Sequence, residues 1–343
     1  MGSRTVICFL ILFVAAGSIL VNGCRKTPYN PTPIGFTNPN GFPQPRYDFT
    51  ANSLTEEGFQ LGKRLFYEGR LSIDGNFPCS SCHEPEAAFT TFQHDRSHGY
   101  NNSHTLRNAP GLFNLAWLPA YNQDGSAAKL DDIYRKHITN PTEMAETIPN
   151  VLRKLQADDE YKRMFRSAFG DDRITEERLY KALSQFLVNM VSANSKYDKV
   201  KRGETSFTSE EQTGYTIFQS KCASCHQEPL FTDFSYRNTG LPVDPLLNDH
   251  GRMRVSGNTA DDLKFRVPSL RNAEFTAYYG HDGRFSFVRN MIRHYRNSVT
   301  QSSTLDPLLA NGIQITNTEE DALVAFIRTL SDSSFLNNPR YRK

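Results

Sequence analysis

The sequence is short of several features that mark common classes of protein. Its net charge is only +2, from 39 basic and 37 acidic residues, and it contains a single tryptophan. A chain this close to neutrality lacks the basic surface that nucleic-acid binding requires, so no nucleic-acid partner is expected. The apolar run from Val6 to Ala16 is too short to cross a bilayer as a helix.

That apolar run follows Arg4, as the hydrophobic core of a signal peptide follows its basic start. Residues 20–24 (LVNGC) resemble a bacterial lipobox, which predicts a lipoprotein signal peptide over residues 1–23 and lipid attachment at Cys24. An ordinary secretory signal with a free cysteine is the alternative. Residues 24–49 are rich in proline and asparagine and predict an extended tether that builds no core. Because Arg25 follows Cys24, we expect a lipid-anchored protein on the periplasmic side of the outer membrane.

Cysteine is also scarce, and none is left over for a disulfide. Apart from Cys8 and Cys24, the thiols lie in residues 79–83 (CSSCH) and 222–226 (CASCH). A Cys-x-x-Cys-His run is typical of covalent haem c attachment, whereas a zinc site would not need the adjacent histidine. The two runs predict two haem c groups, with His83 and His226 as proximal iron ligands. The thioether-forming residues would be Cys79, Cys82, Cys222 and Cys225.

The chain repeats itself around these two runs. Residues 54–66 and 207–218 share a helix-start pattern in which a glycine, Gly62 or Gly214, precedes a phenylalanine by four positions. Thr208 with Glu211, and Ser53 with Glu56, predict capping boxes. Leu-Arg-Asn-Ala at 106–109 and 270–273, and Asp-Gly at 124–125 and 282–283, continue the repeat. Each glycine is expected to let another helix cross closely.

The periodicity elsewhere is mainly helical. Apolar stripes run through residues 179–191 and 323–330, with Thr318 and Asp321 as the expected cap of the second helix. Only residues 313–315 alternate as a strand would. We therefore predict an all-α fold of two cytochrome c-like haem domains in tandem with long loops, over residues 50–203 and 204–343.

With these motifs the chain resembles the bacterial di-haem cytochrome c peroxidases and their MauG-type relatives. The resemblance covers residues 50–335 and includes residues 138–144 (ITNPTEM), 265–272 (FRVPSLRN) and 281–284 (HDGR). It implies that the N-terminal haem meets hydrogen peroxide, while the C-terminal haem relays or stores electrons.

The resemblance places the sixth ligand of the second haem fourteen residues after His281, at Tyr295. The peroxidases carry methionine there and the MauG-type proteins tyrosine, which donates charge and stabilises higher oxidation states. Met291 lies four residues earlier on the same helical face and is the main alternative. His294 is a further neighbouring competitor.

At the first haem the resemblance gives Glu143 the role of moving a proton during cleavage of the peroxide bond. Ile133 stands where the family usually has glutamine, and Gln123 where it usually has a tryptophan between the haems. His137 replaces a proline. It is interpreted as a second acid/base group, a sixth iron ligand or a surface histidine.

The loop after the first haem motif contains His94, His98 and His104. In relatives a histidine here binds the iron at rest, and His98 is nearest the expected place. The only tryptophan, Trp117, is expected in the core, and Tyr121 or Tyr134 would have to relay a hole between the haems.

The family also implies a calcium ion between the haems. The matching ligands are the side chain of Asn108 and the backbone carbonyls of Thr276 and Tyr278, which are oxygen ligands of the kind calcium prefers.

Together these features predict a cytochrome-c peroxidase-type oxidoreductase with two haem c groups and a calcium ion. Its electrons would come from a small cytochrome or another periplasmic donor. Alternatively, a MauG-like oxidase would draw them from a protein substrate. A lipid-anchored di-haem electron carrier without peroxide chemistry is the rival hypothesis, membrane contact is expected through the lipid alone, and the resemblance is compatible with a homodimer.

Overall fold

The computed structural model describes residues 29–343, so the predicted signal peptide and Cys24 lie outside the described residues. Within that range the fold is mainly helical, with long irregular loops between helices and one two-stranded sheet, which confirms the all-α class. None of the helices in this range is long and apolar enough to span a membrane.

The first half contains five α-helices joined by loops that hold the first haem motif. They are α1 (Glu56–Phe66), α2 (Asp131–Thr139), α3 (Ile148–Gln156), α4 (Asp159–Phe169) and α5 (Glu176–Val188). The later helices are α6 (Lys196–Lys201), α7 (Ser209–Lys221), α8 (Met253–Ser256), α9 (Val288–Asn297), α10 (Asn317–Arg328) and α11 (Ser333–Leu336). Strands β1 (Tyr236–Arg237) and β2 (Phe265–Arg266) pair antiparallel, with Tyr236 opposite Arg266.

Two glycines permit the main helix crossings. Helix α1 packs across α5 at Gly62, and α7 packs across α10 at Gly214. A Cβ atom on Gly62 would collide with the backbone carbonyl of Ala182, and one on Gly214 would collide with that of Ala322. The close crossings expected from the repeat are therefore present in both halves.

The loops repeat as well. Around the first Asp-Gly turn the Tyr121 amide donates to the Ala127 carbonyl at 2.8 Å, and around the second the Tyr279 amide donates to the Phe285 carbonyl at 2.7 Å. Each half thus closes its Asp-Gly turn with the same antiparallel bridge.

The helix caps were predicted with mixed success. The capping box of Thr208 and Glu211 is confirmed at the start of α7. The prediction for α1 is wrong, because Thr55 caps the helix through the Gly58 amide while the Ser53 hydroxyl donates to the Phe49 carbonyl.

The cap predicted at Thr318 is also misplaced. Helix α10 begins two residues earlier, where Thr316 and Glu319 form the capping box. Residues 313–315 form no strand: the Ile313 amide donates to the Tyr295 carbonyl at 2.9 Å, and Ile315 is buried in the second core. The alternation of residues 313–315 therefore reflects burial of one side of a loop rather than pairing in a sheet.

Trp117 lies in the first core, as expected, and it anchors the segment predicted to be a tether. Its indole packs against Phe36 and Phe42, and Nε1 donates to the Pro43 carbonyl at 2.8 Å. Phe42 is itself buried. The expectation that this segment adds nothing to a core is therefore wrong for residues 29–49, because its phenylalanines cover an apolar surface on the first half.

Two hydrophobic cores follow the two halves but interlock at their ends. Tyr197 of α6 belongs to the second core, whereas Phe335, Leu336 and Tyr341 pack into the first. The division at residues 203 and 204 stays a prediction, and the C-terminal segment returns across it.

Two charge pairs, one of them buried, hold segments outside the main helix crossings. Arg271 is fully buried and makes two hydrogen bonds to Asp198, at 2.8 and 2.7 Å. Burial alone would raise the pKa of Glu68, but hydrogen bonds from Arg70 and Tyr161 outweigh it and lower the pKa to about 2.

Candidate active site

Both Cys-x-x-Cys-His turns open into one continuous cavity of about 940 Å³. Its lining is largely apolar, as cofactor sites generally are, with a few polar side chains. A cavity shared by both turns brings the two haem positions into one interior, although the motifs lie 143 residues apart in the sequence.

The first turn prepares His83 to bind a metal through one nitrogen. Cys79–Ser81 forms a short 3₁₀ turn, after which the His83 amide donates to the Cys79 carbonyl at 3.0 Å. The ring Nδ1 lies 2.8 Å from the Phe89 carbonyl, so it carries the proton and leaves the Nε2 lone pair available. Burial lowers the pKa of His83 to about 4, which keeps the imidazole neutral.

The second turn has the same design. The His226 amide donates to the Cys222 carbonyl at 2.9 Å, and Nδ1 lies 3.1 Å from the carbonyls of both Phe231 and Pro268. Burial lowers the pKa of His226 as well. Both histidines therefore use Nδ1 in a hydrogen bond and leave Nε2 available, and their role as proximal haem ligands stays a prediction.

All four motif cysteines are free thiols that line the cavity. Burial raises the pKa of Cys79 and of Cys222 to about 12. Paired thiols one turn apart, each pair followed by an imidazole with a free Nε2, fit covalent haem c and do not form disulfides here.

Opposite the first turn, Glu143 and His137 form a hydrogen-bonded pair. His137 Nδ1 lies 2.6 Å from Glu143 Oε2, and the Asn140 amide group donates to Glu143 Oε1 at 2.7 Å. The Glu143 side chain is 17 % exposed and that of His137 is 42 % exposed. Both line the cavity, so the structure brings together the two residues predicted to act at the first haem.

Glu143 is held by a turn rather than by a helix. It lies in the turn that follows α2, and α3 begins only at Ile148. The Tyr100 amide donates to the Glu143 carbonyl at 2.8 Å, which fastens this turn to the histidine loop. Glu143 therefore does not stand at the start of a helix.

The three loop histidines are grouped, but only one of them lines the cavity. The His98 ring meets that of His94 edge-on and that of His104 at a tilt, with centroids 4.8 and 4.4 Å away, and the His98 side chain is exposed. His98 alone of the three belongs to the cavity lining.

At the second site Tyr295 and Met291 both line the cavity from α9. His294 does not: it is buried, and its Nε2 lies 2.8 Å from the Thr239 carbonyl. The structure thus removes His294 from the candidates and leaves the tyrosine and the methionine side by side.

Gln123, which stands where the sequence lacks the expected tryptophan, lines the shared cavity together with other polar residues. The Gln123 side chain donates to the Asn108 carbonyl at 2.8 Å. The His281 ring stacks on the Phe265 ring, with centroids 3.9 Å apart. The Arg107 guanidinium lies over the Phe265 ring, 5.2 Å from its centroid. This group lines the shared cavity with a π-stacked pair and a cation.

The calcium site stays a prediction, and its three expected ligand residues line the cavity. Asn108, Thr276 and Tyr278 all belong to its lining. Asn108 uses its amide nitrogen to donate to the Asp95 carbonyl at 2.8 Å, which leaves Oδ1 as an acceptor. Among residues 29–343 no three His, Cys, Asp or Glu side chains cluster as metal ligands, so a cation here would rely on amide and carbonyl oxygens.

Two features of the site were missed from the sequence. Asn140 was recognised only as part of a motif, although its spacing of three residues from Glu143 places their side chains together. Asp249 binds Arg107 in a two-point ion pair from a loop that carries no motif, so no local signal could have identified it.

A family model described as di-haem cytochrome c peroxidase matches residues 56–206. The methylamine utilization protein MauG of Methylophilus methylotrophus is 32 % identical over 86 % of this chain and 87 % of its own. The cytochrome c551 peroxidase of Nitrosomonas europaea is 32 % identical over 79 % of each chain.

Solved structures show the same fold. A MauG-like protein associated with microbial copper homeostasis superposes with a TM-score of 0.82 and 30 % identity, over 90 % of this chain and 98 % of that one. The diheme peroxidase BthA of Burkholderia thailandensis has a TM-score of 0.73 and 23 % identity, over 84 % and 90 % of the two chains, which supports the fold alone.

Proposed function

The chain belongs to the family of di-haem cytochrome c peroxidases and MauG proteins, and from this premise we propose that it reduces hydrogen peroxide at the haem on His83. The observation that carries the proposal is the Glu143–His137 pair, which faces the same cavity as the His83 turn. A rigidly held carboxylate on that side of the site is what proton transfer to and from peroxide requires.

The reaction consumes one peroxide, two electrons and two protons and yields two waters. When bound, the haem supplies the iron for peroxide and the path for electrons. Glu143 takes a proton from one oxygen of the bound peroxide and returns it to the other oxygen, which leaves as water. The hydrogen bonds from His137 and Asn140 keep the carboxylate aimed at that position.

His137 acts in this scheme as a proton-transfer partner rather than as an iron ligand. Its Nδ1 is engaged by Glu143, and its Nε2 lies 3.4 Å from the Asn122 side-chain oxygen. With both nitrogens directed at side chains, the ring is oriented to pass protons between solvent and Glu143.

Tyr295 is proposed as the sixth ligand of the second haem. No described residue hydrogen-bonds to its hydroxyl, and burial raises the pKa of Tyr295. A phenol in such a place ionises only beside a cation, which the iron would supply. Tyrosinate ligation favours retention of oxidising equivalents, so a MauG-like oxidase that draws electrons from a partner protein is the second candidate.

The remaining assignments follow the same proposal. A calcium ion would bind Asn108 Oδ1 and the carbonyls of Thr276 and Tyr278, none of which accepts a hydrogen bond from another described residue. The electron donor would be a small cytochrome or another periplasmic protein. The protein would reach the membrane only through a lipid on Cys24.

The Glu143→Gln variant tests the proposal. Removing the proton carrier should lower peroxide reduction by about 10²- to 10⁴-fold while haem content stays the same. Glu86→Gln is the matched control, because Glu86 is an exposed carboxylate close to the same haem motif. Equal rates for Glu143→Gln and wild type would refute the catalytic assignment.

An EPR spectrum of the ferric protein separates the peroxidase from the electron carrier. A high-spin signal is expected from a first haem that can accept peroxide. Two low-spin haems at every oxidation level would favour the carrier.

A further inference from the structure

Two neighbouring tyrosines, with their rings tilted against each other, lead from the first haem cavity toward the surface. Tyr134 of α2 lines the cavity, and its ring centroid lies 5.4 Å from that of Tyr180 on α5. Both side chains are buried. Beyond Tyr180, the two helices are joined by an ion pair between Arg135 and Glu176, both of which reach solvent.

The hydroxyl of Tyr134 has a built route for its proton. It lies 3.1 Å from Ser184 Oγ, and Ser184 in turn donates to Asp131 Oδ1 at 2.5 Å. A carboxylate can only accept here, so the one hydroxyl proton of Ser184 points to Asp131. Tyr134 must therefore be the donor to Ser184, and the two bonds run in one direction from phenol to carboxylate.

Such a route matters because a phenol that loses an electron becomes a strong acid. Burial raises the pKa of Tyr134 well above its ordinary value, so the group is neutral before oxidation and can lose an electron only if it also loses its proton. Asp131 is partly exposed and can release the proton to water.

We propose that Tyr134 and Tyr180 form an oxidisable pair that carries an oxidising equivalent from the first haem to the surface beside Arg135 and Glu176. The inference rests on the proposed function, because hydrogen peroxide is the oxidant. It adds an exit from the first haem that does not pass through the second.

The step balances as follows. With the haem bound and oxidised by peroxide, Tyr134 would give it one electron, and the phenolic O–H bond of Tyr134 would break. The proton moves to Ser184 Oγ while Ser184 gives its own proton to Asp131. Tyr180 then gives one electron to Tyr134, which takes a proton back through Asp131 and Ser184. The phenolic proton of Tyr180 leaves toward the neighbouring Glu176 carboxylate, and a one-electron reductant at the surface, with a proton from solvent, restores Tyr180.

Tyr134 differs from Tyr341 in its proton acceptor. Tyr341 is buried in the same core but donates its hydroxyl to the Asn189 carbonyl at 2.7 Å. A backbone carbonyl cannot keep a proton, so Tyr341 is a suitable control for a tyrosine without a relay.

The test mixes the haem-loaded protein with one equivalent of hydrogen peroxide and freezes it for EPR. A tyrosyl radical is expected in the wild type, and ring-deuterated tyrosine should narrow its signal. Tyr134→Phe should lose the radical, Ser184→Ala should lose most of it although both tyrosines remain, and Tyr341→Phe should keep it. Unchanged haem absorption in each variant shows that the fold is intact.

A spin-trap adduct mapped by mass spectrometry provides a second measurement. The adduct should lie on Tyr180 in the wild type and disappear from that residue in Tyr134→Phe. An identical radical and adduct in Tyr134→Phe, or peroxide turnover without any tyrosyl radical, would overturn the pair and leave the proposed function standing. Peroxide left unconsumed by the wild type would overturn both.

Discussion

The replacement of Gly214 by alanine gives the most direct test of how the second haem half is built. The added Cβ would collide with the Ala322 carbonyl and press against Phe326 Cβ at 2.9 Å. A backbone carbonyl cannot rotate away, so the clash can be relieved only if α7 and α10 move apart. Overpacking of this kind costs up to about 3 kcal/mol.

The substitution would recover part of that cost, because the helix propensity of alanine is more favourable than that of glycine by about 1 kcal/mol. The expected net loss in the free energy of unfolding is therefore about 2 kcal/mol. Urea unfolding of the haem-loaded protein, followed by circular dichroism and by haem absorption, measures it.

Gly35→Ala is the matched control, because a Cβ there meets nothing within 4 Å. That variant should unfold at the wild-type urea concentration. If Gly214→Ala were as stable as Gly35→Ala or more so, the close crossing would not be what requires glycine at this position.

Three further changes have defined outcomes. Asp198→Ala strands the buried charge of Arg271 and should lower the free energy of unfolding by about 3 to 5 kcal/mol, measured by urea unfolding. The pKa of Glu68 is lower in the folded protein than in the unfolded chain, so the ionised carboxylate stabilises the fold fully above about pH 4.5, and this stabilisation is lost as the pH falls toward 2. The melting temperature of Glu68→Gln should therefore lie furthest below that of the wild type at pH 7, and the difference should shrink below pH 4.5. Tyr295→Phe should change the low-spin EPR signal of the second haem while Met291→Leu leaves it unchanged, and the opposite result would assign the methionine as ligand.

The chemistry of the haem turns was predictable because it depends on adjacent residues. Two thiols and an imidazole at fixed spacing specify the attachment without any tertiary information. The glycine crossings were also predictable, since a repeat of the same residue four positions before phenylalanine identifies a helix face. The placement of Glu143 in the cavity came only from the family resemblance.

Other parts depend on contacts between distant segments, which no local pattern reveals. Phe42 lies in a proline-rich stretch whose composition predicts a tether, yet Trp117 gives it an apolar partner 75 residues later. The cap of α10 was misplaced because Thr316 and Thr318 both precede an acidic residue at a spacing of three, and only the helix start decides between them.

The return of the C-terminal segment to the first core has a consequence for biosynthesis. Phe335 packs against Phe89 and Phe113, and the Tyr67 hydroxyl donates to the Tyr341 carbonyl at 2.8 Å. The ribosome makes these closing residues only after it has made the second haem motif. During synthesis the first half therefore keeps an open apolar face until residues 335–341, made after the second haem motif, can close it.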